Sequence, residues 1–527
     1  MGKRSSLPED FQASDVALFS QFSEEVDDIR LQARLADLVW LLNKPRSLKH
    51  ALLAIDAYRR IPLEAETWVR DGRECWMRAI ALSRMLKGGA GQRVREIEVT
   101  VIEAFSVAKI SDGFLALWLS DLLAKNSLGR DKGRDIAEKL EGIARDLDST
   151  ADLYRAREFF GAALKWHQQL GNQAKAIEMI ACVAEGWVKE AVARISSEKP
   201  SYMAAASFYE NAIQTYRTIP RKDRAIRRVD ERISEIHKEL TEAGARSLDE
   251  MDFITSSPID ITELVELARD TVKGKINIEE ALQSFANIYH SPGVTKIRKF
   301  SEEILSENPL PAHISATHMS EDGRVIAKRP GMGFEPDPAE YESIVWAEMV
   351  KYYGRNVRMA VKTTIWPALE ILVLEHRLRE DDFVALVNCS PVVPKGRERL
   401  FGKALFAGYE MDFVVALHLL VPQIEHMVRW HLRNAGAKTT NLDKNGIENE
   451  NSLSALMDMP ESMQVLGEDL AFEVRALFCD AYGANLRNEL AHGLLDDEAC
   501  RSVYSIYAWW FGLKLVFNSF WITQRQL

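Results

Sequence analysis

The chain lacks the loops that usually announce an enzyme. It has no G-x-x-x-x-G-K-[ST], no G-x-G-x-x-G and no G-x-S-x-G, so nucleotide binding and serine-hydrolase chemistry are without support. Its five cysteines (Cys75, Cys182, Cys389, Cys479 and Cys500) never fall at C-x-x-C spacing, which excludes a disulfide framework and a zinc ribbon and implies reduced thiols in a cytoplasmic setting. His426 and His431 lie five apart, so on a helix they point away from each other, and no metal site is expected. Positive charge is in deficit: a net charge of −11 argues against coating nucleic acid or membrane through the overall field, while leaving room for a local basic groove. The basic residues at the start are followed by no apolar run, so a secretory signal is not expected. One long stretch with little charge exists. Ser502–Ile522 carries only Lys514, but Ser505, Asn518 and Ser519 interrupt it and large aromatics run through its middle. It reads as a helix buried in a bundle or at a dimer contact, and no membrane partner is expected.

What the chain has in abundance is helical periodicity. Apolar residues recur at three- and four-residue spacing through Ile29–Leu42, Glu96–Ala124, Asp152–Leu170 and Ala174–Ile195, with few alternating β-branched runs. At 527 residues the chain exceeds a single core. The reading is all-α: an amino-terminal helical-hairpin domain over 1–254, a helical segment and Pro/Gly-rich linker over 255–340, and a carboxy-terminal bundle over 341–527. Asp260-Ile261-Thr262-Glu263 has a capping-box pattern that opens a new helix. The break from about Asn308 to Asp337 is rich in Pro and Gly, is taken as the best domain boundary, and has room for a small hairpin at Glu321–Ile326. A faint repeat marks the amino-terminal half, where Ala54-Ile55-Asp56-Ala57-Tyr58-Arg59-Arg60-Ile61-Pro62 returns as Ala212-Ile213-Gln214-Thr215-Tyr216-Arg217-Thr218-Ile219-Pro220. It reads either as a solenoid-like platform or as two similar helices that end at proline.

The residues most suited to chemistry stand near the end, in Asn485-Leu486-Arg487-Asn488-Glu489-Leu490-Ala491-His492-Gly493. A histidine moves protons near neutral pH, and an arginine holds a phosphate or a developing phosphorane charge. One helix is expected from about Gly467 through Ala491, with Gly493 taking the turn and Asp496 or Asp497 capping the next helix. On a regular helix Arg487 and His492 diverge by about 140°, whereas Asn488 and His492 share a face. Arg487 must therefore wrap round, the helix must distort, or two protomers must build the site together. An earlier helix, about Tyr409–Leu432 with Pro422 inside, presents His418, Glu425 and Arg429 beside its apolar face. Glu425 is expected either to orient Arg487 or His492 from behind, or to form an exposed pair with Arg429.

Arg487-Asn488-Glu489-Leu490-Ala491-His492 resembles the Arg-x4-to-6-His motif of the HEPN superfamily. The longer pattern, with Gly493 and the upstream Pro422-Gln423-Ile424-Glu425, resembles the branch shared by bacterial proteins and the vertebrate ER-membrane-associated RNA degradation protein. The resemblance covers roughly Pro391–Leu494. It implies a helical bundle that forms a homodimer with facing motifs, and a metal-independent endoribonuclease without cofactor. Arg487 and His492 would be the catalytic pair and Asn488 their polar helper, and a role in bacterial defence would follow at the level of the family. The chemistry suits those residue types: the 2′-hydroxyl attacks the adjacent phosphorus, one group takes its proton, another protonates the leaving 5′-oxygen, and a cation holds the charge. RNA contacts are expected from Lys395 and Arg397, and from Arg429, Trp430 and Arg433, whose aromatic is available for stacking. The amino-terminal region is expected to select substrate, bind a protein partner or restrain the nuclease. The alternative is a non-catalytic helical scaffold for dimerisation and for partner or RNA binding.

Overall fold

Alanine at the positions where two helices meet lets their backbones approach, and that device recurs through the first part of the chain. The computed structural model describes residues 7–225, 227–252, 257–333 and 337–526. They form two compact units, Met1–Met251 and Asp252–Leu527. Both are all-α apart from two small hairpins.

The first unit is a succession of antiparallel helices. Its main members are α1 (Ala13–Glu25), α2 (Ile29–Leu42), α3 (Leu48–Tyr58), α4 (Arg73–Leu86), α5 (Arg93–Val107) and α6 (Leu115–Lys125). They continue with α7 (Gly133–Ser149), α8 (Leu153–Gln169), α9 (Gln173–Ile195), α10 (Tyr202–Arg217) and α11 (Val229–Ser247). Asp28, Asp152, Asn172 and Ser201 start α2, α8, α9 and α10 by accepting a backbone N–H of the first turn.

The repeat seen in sequence has a structural counterpart. Ala54, Ile55, Tyr58 and Ile61 are all buried, as are their equivalents Ala212, Ile213, Tyr216 and Ile219. The two copies also share a polar arrangement. Tyr58 donates its hydroxyl to Asp37 of α2 at 3.1 Å, and Arg78 of α4 grips the same carboxylate at 2.7 and 2.8 Å. Tyr216 likewise donates to Glu185 of α9 at 2.7 Å, and Arg232 of α11 grips that carboxylate at 2.8 and 2.9 Å. In each copy one carboxylate ties together three helices, and its lone pairs are satisfied by a phenol and a guanidinium fork.

The second unit contains α12 (Thr262–Val272), α13 (Ile278–Ala286), α14 (Val294–Glu307), α15 (Pro338–Ala360), α16 (Trp366–Glu375), α17 (Glu380–Asn388), α18 (Glu398–Tyr409) and α19 (Phe413–Asn434). After these come α20 (Glu468–Val474), α21 (Leu486–Ala491) and α22 (Val503–Gln526). The aromatic stretch is the centre of this bundle. Tyr507, Trp509, Trp510 and Phe517 are fully buried on α22, which packs on α13, α15, α17, α18 and α19. Both indoles find acceptors, Trp509 at the Leu405 carbonyl and Trp510 at the Phe285 carbonyl, each at 3.0 Å. Among the described residues no helix is long and apolar enough to cross a membrane. Lys514 ends at the Tyr289 carbonyl at 3.0 Å, and burial lowers its ammonium below the usual lysine range.

Two expectations about organisation change here. Residues 255–340 were set apart as a segment and linker, yet α12, α13 and α14 bury Val272, Phe285 and Ile297 in the core of the second unit. The Pro/Gly-rich break, taken as the domain boundary, lies inside that unit. It folds as a short helix, Pro309–His313, and an antiparallel hairpin of β1 (Ala316–Met319) and β2 (Val325–Arg329). Buried Arg329 holds the two together by donating to the carbonyls of Pro311, Ala312 and Ile314. Proline and glycine there shape a compact turn-rich insertion, which composition alone does not distinguish from a linker.

Candidate functional site

The site begins at α19. Asp412 caps it by accepting the Val415 N–H at 3.1 Å, and Leu417, Leu420, Val421, Ile424 and Val428 bury one face. Pro422 sits inside the helix on its exposed side. Glu425 and Arg429 flank the buried face one turn apart.

The expected single helix from Gly467 to Ala491 is interrupted. Helix α20 passes into a wider turn at Arg475–Cys479 and ends at Asp480, whose carboxylate accepts the Trp346 indole N–H at 2.6 Å and the Tyr482 N–H at 2.9 Å. A Cβ on Gly483 would lie 2.2 Å from the Ala476 carbonyl oxygen, so only glycine permits the chain to fold back there. Asn485 then takes a left-handed conformation, φ 51°, and α21 starts afresh with Leu486 buried as its anchor. The break lies before both Arg487 and His492, which share α21 and its carboxy-terminal cap, so it sets where the motif helix starts and leaves the angle between the two residues that of a regular helix.

Arg487 reaches across to Glu425. Its Nε donates to Oε2 at 2.6 Å and its Nη2 to Oε1 at 3.4 Å, while Nη1 meets Asn488 Oδ1 at 3.3 Å. Asn488 in turn donates to Asn485 Oδ1 at 2.7 Å, so the turn before the helix positions the amide. Arg429 also donates to Glu425 Oε1, at 2.7 Å. Glu425 therefore pairs with Arg429 and backs Arg487 at once, and the pair is enclosed, its side chains 13% and 14% exposed, where spacing alone suggested an exposed one. Burial would raise the Glu425 carboxyl, but the hydrogen bonds from Arg487 and Arg429 outweigh it and leave the group below its usual range.

His492 closes α21. The Gly493 N–H bonds to the Leu490 carbonyl and the Leu494 N–H to that of Glu489, with Gly493 at φ 68°. This turn leaves the His492 imidazole exposed at the end of the helix that carries Arg487.

The basic residues proposed for RNA fare unevenly. Arg429 and Arg433 are matched by a second hairpin, β3 (Thr440–Leu442) with β4 (Glu448–Glu450), that periodicity did not reveal. Glu450 accepts from Arg433 at 2.9 and 3.1 Å and lies 3.1 Å from Arg429 Nε. Arg429 is the more enclosed, its side chain 13% exposed, and it also donates to the Asn451 carbonyl at 2.6 Å. As placed here it braces the hairpin and is not a free contact for phosphate. Arg433 remains about half exposed. Trp430 is half-buried, edge-on to His431, whose ring nitrogen meets the Val392 carbonyl at 2.9 Å. Lys395 is exposed and Arg397 half-buried in the turn before α18.

Sequence reasoning weighed His426 only as a metal ligand, and the structure gives it another setting. Burial, then the positive charges of Arg397, Arg429 and Arg433, hold its imidazole below the ordinary histidine range. The basic residues from the turn before α18 and from α19 thus act on one histidine, with Glu450 opposing them. The signal was present in sequence as the close run Glu425-His426-x-x-Arg429, but the contribution of Arg397 comes from another element. Among the described residues no group of histidine, cysteine and carboxylate side chains is arranged to hold a metal. The five cysteines carry free thiols.

No curated protein matches the chain. A solved structure titled "Circular tandem repeat protein with novel repeat topology and enhanced subunit contact surfaces" aligns over 97% of each chain at 15% identity with a TM-score of 0.13, too low to bear on the fold. A family model described as a domain of unknown function, DUF7380, matches residues 1–95, the stretch that contains α1, α2, α3 and α4.

Proposed function

We propose that the second unit is a metal-independent endoribonuclease whose reacting groups are Arg487 and His492, with Asn488 assisting, acting as a homodimer in the cytoplasm. The observation that carries this reading is the pairing on α21: a guanidinium held from behind by Glu425, and an exposed imidazole five residues further along. Glu425 occupies the Nε edge of Arg487, so Nη1, which among the described residues bonds only to the neighbouring Asn488 amide oxygen, is the edge that meets a phosphate oxygen. His492 moves the proton between the 2′-hydroxyl, or the leaving 5′-oxygen, and solvent. A second copy supplies the opposite partner, which separates the two proton-transfer roles. Products carry a 2′,3′-cyclic phosphate or the 3′-phosphate that follows from it.

A specific observation favours a second reading. The Glu425 carboxylate already neutralises Arg487, as a structural brace would, and this suits a non-catalytic dimerisation or RNA-binding bundle. Incubating the full chain with mixed RNA in excess EDTA separates the two. The nuclease reading expects cutting that His492→Ala reduces by at least about a hundredfold while dimer mass is kept. Cutting indifferent to that substitution leaves the scaffold.

A further inference from the structure

One face of the first unit carries a row of neighbouring cavities, together a segmented trough. Three cavities of about 630, 410 and 180 Å³ follow one another along it. The first two share Glu74 in their walls and the last two share Asp121, so they are neighbours along the succession. The walls come mainly from α2, α4, α6 and α8, every second helix of the succession. This is what antiparallel hairpins stacked side by side produce: one layer of helices turns inward along a shared groove.

The charges in this trough are largely cancelled in pairs. Arg30 meets Asp71 at 2.6 Å, Arg78 meets Asp37 at 2.7 Å and Lys125 meets Asp121 at 2.7 Å. Three cations are left over. Arg34, Arg73 and Lys165 line the trough, are exposed, and make no ion pair or hydrogen bond among the described residues. Against them stands unpaired Glu74. The trough thus has a cationic surplus in a chain whose net charge is −11. Between these charges lie apolar groups open to a ligand, with Leu41 at 41%, Met77 at 42% and Val69 at 70% exposure.

We propose that the trough binds an extended acidic peptide, its carboxylates meeting Arg34, Arg73 and Lys165 and its bulky apolar side chains lying on Leu41, Met77 and Val69. The alternation of the walls selects this occupant. A polynucleotide brings a phosphate at every step and cannot skip the unpaired Glu74 or the apolar stretches between the three free cations. A peptide spaces its charges, and in extended form its side chains alternate along a groove at about 3.3 Å per residue. The inference concerns the first unit and does not depend on the ribonuclease reading.

The test uses the full chain and a fluorescein-labelled peptide of about a dozen residues alternating aspartate with leucine or tryptophan, followed by anisotropy at about 0.1 M salt. Binding tighter than about 100 μM is expected, weakened about tenfold or more in Arg34→Glu/Arg73→Glu/Lys165→Glu and strengthened in Glu74→Lys. All four positions are exposed, and unchanged melting temperatures confirm that the fold is kept. Equal affinity for the same peptide with lysine in place of aspartate overturns the proposal. So does binding that is insensitive to both sets of substitutions, or single-stranded RNA that binds in a reversal-sensitive way where the peptide does not.

Discussion

Glu425 accepts hydrogen bonds from two guanidinium groups while its side chain is only 14% exposed, and that position makes its replacement informative. Glu425→Gln keeps the shape but leaves Arg429 and Arg487 without their counter-charge, at a cost of about 2–3 kcal/mol near neutral pH. The carboxyl lies below its ordinary 4.5, so its contribution is present above that value and is lost as pH falls through the lower folded value. A series of denaturant titrations from pH 7 down through the acid range is therefore expected to show a gap between wild type and variant that is constant above 4.5 and narrows below it. On the nuclease reading the same variant also loses cutting at pH 7, because Arg487 is no longer aimed. The Glu425–Arg429 half of this arrangement was legible from i, i+4 spacing. The Arg487 half was legible only as one option, since the two partners are 62 residues apart.

At the scale of elements, the short helix that carries the motif exists because the chain breaks just before it. Gly483→Ala places a methyl 2.2 Å from the Ala476 carbonyl and is expected to destabilise the protein by about 1–3 kcal/mol, measured by thermal or denaturant unfolding. On the nuclease reading cutting falls further than stability does, because Asn485 and Asn488 shift together. The break was not legible because apolar spacing runs on through Cys479, while its cause is tertiary: the Trp346–Asp480 hydrogen bond joins residues 134 apart. The helices themselves were legible wherever a cap and an apolar stripe agreed, as at Asp28 and α2. The tyrosine–carboxylate–arginine ties of the repeat were not, since Asp37, Tyr58 and Arg78 lie on three different helices and no local rule links them.

At the scale of the whole molecule, the proposed reaction needs two copies. Two arrangements fit it, sites that use both groups of one α21 and sites that draw arginine from one protomer and histidine from the other, and only the second has a distinctive mixing behaviour. On that second arrangement Arg487→Ala and His492→Ala, each inactive alone, should regain part of the RNA cutting when subunits are exchanged, because one of the two sites at the seam then holds an intact pair. Gel assays on mixed and unmixed proteins at equal total concentration read this directly. No recovery despite proven exchange would place both groups of each site in one protomer.

The small hairpin that ends in Glu450 has a consequence of its own. By lying on Arg429 and Arg433 it acts as a counterion already tethered to the protein. A nucleic acid that takes over Arg433 swaps one anion for another and sheds fewer mobile ions than the count of basic groups suggests. The dependence of affinity on ionic strength should then be shallow, and Glu450→Gln should steepen it by at most about one unit of log–log slope, the effect of one charge.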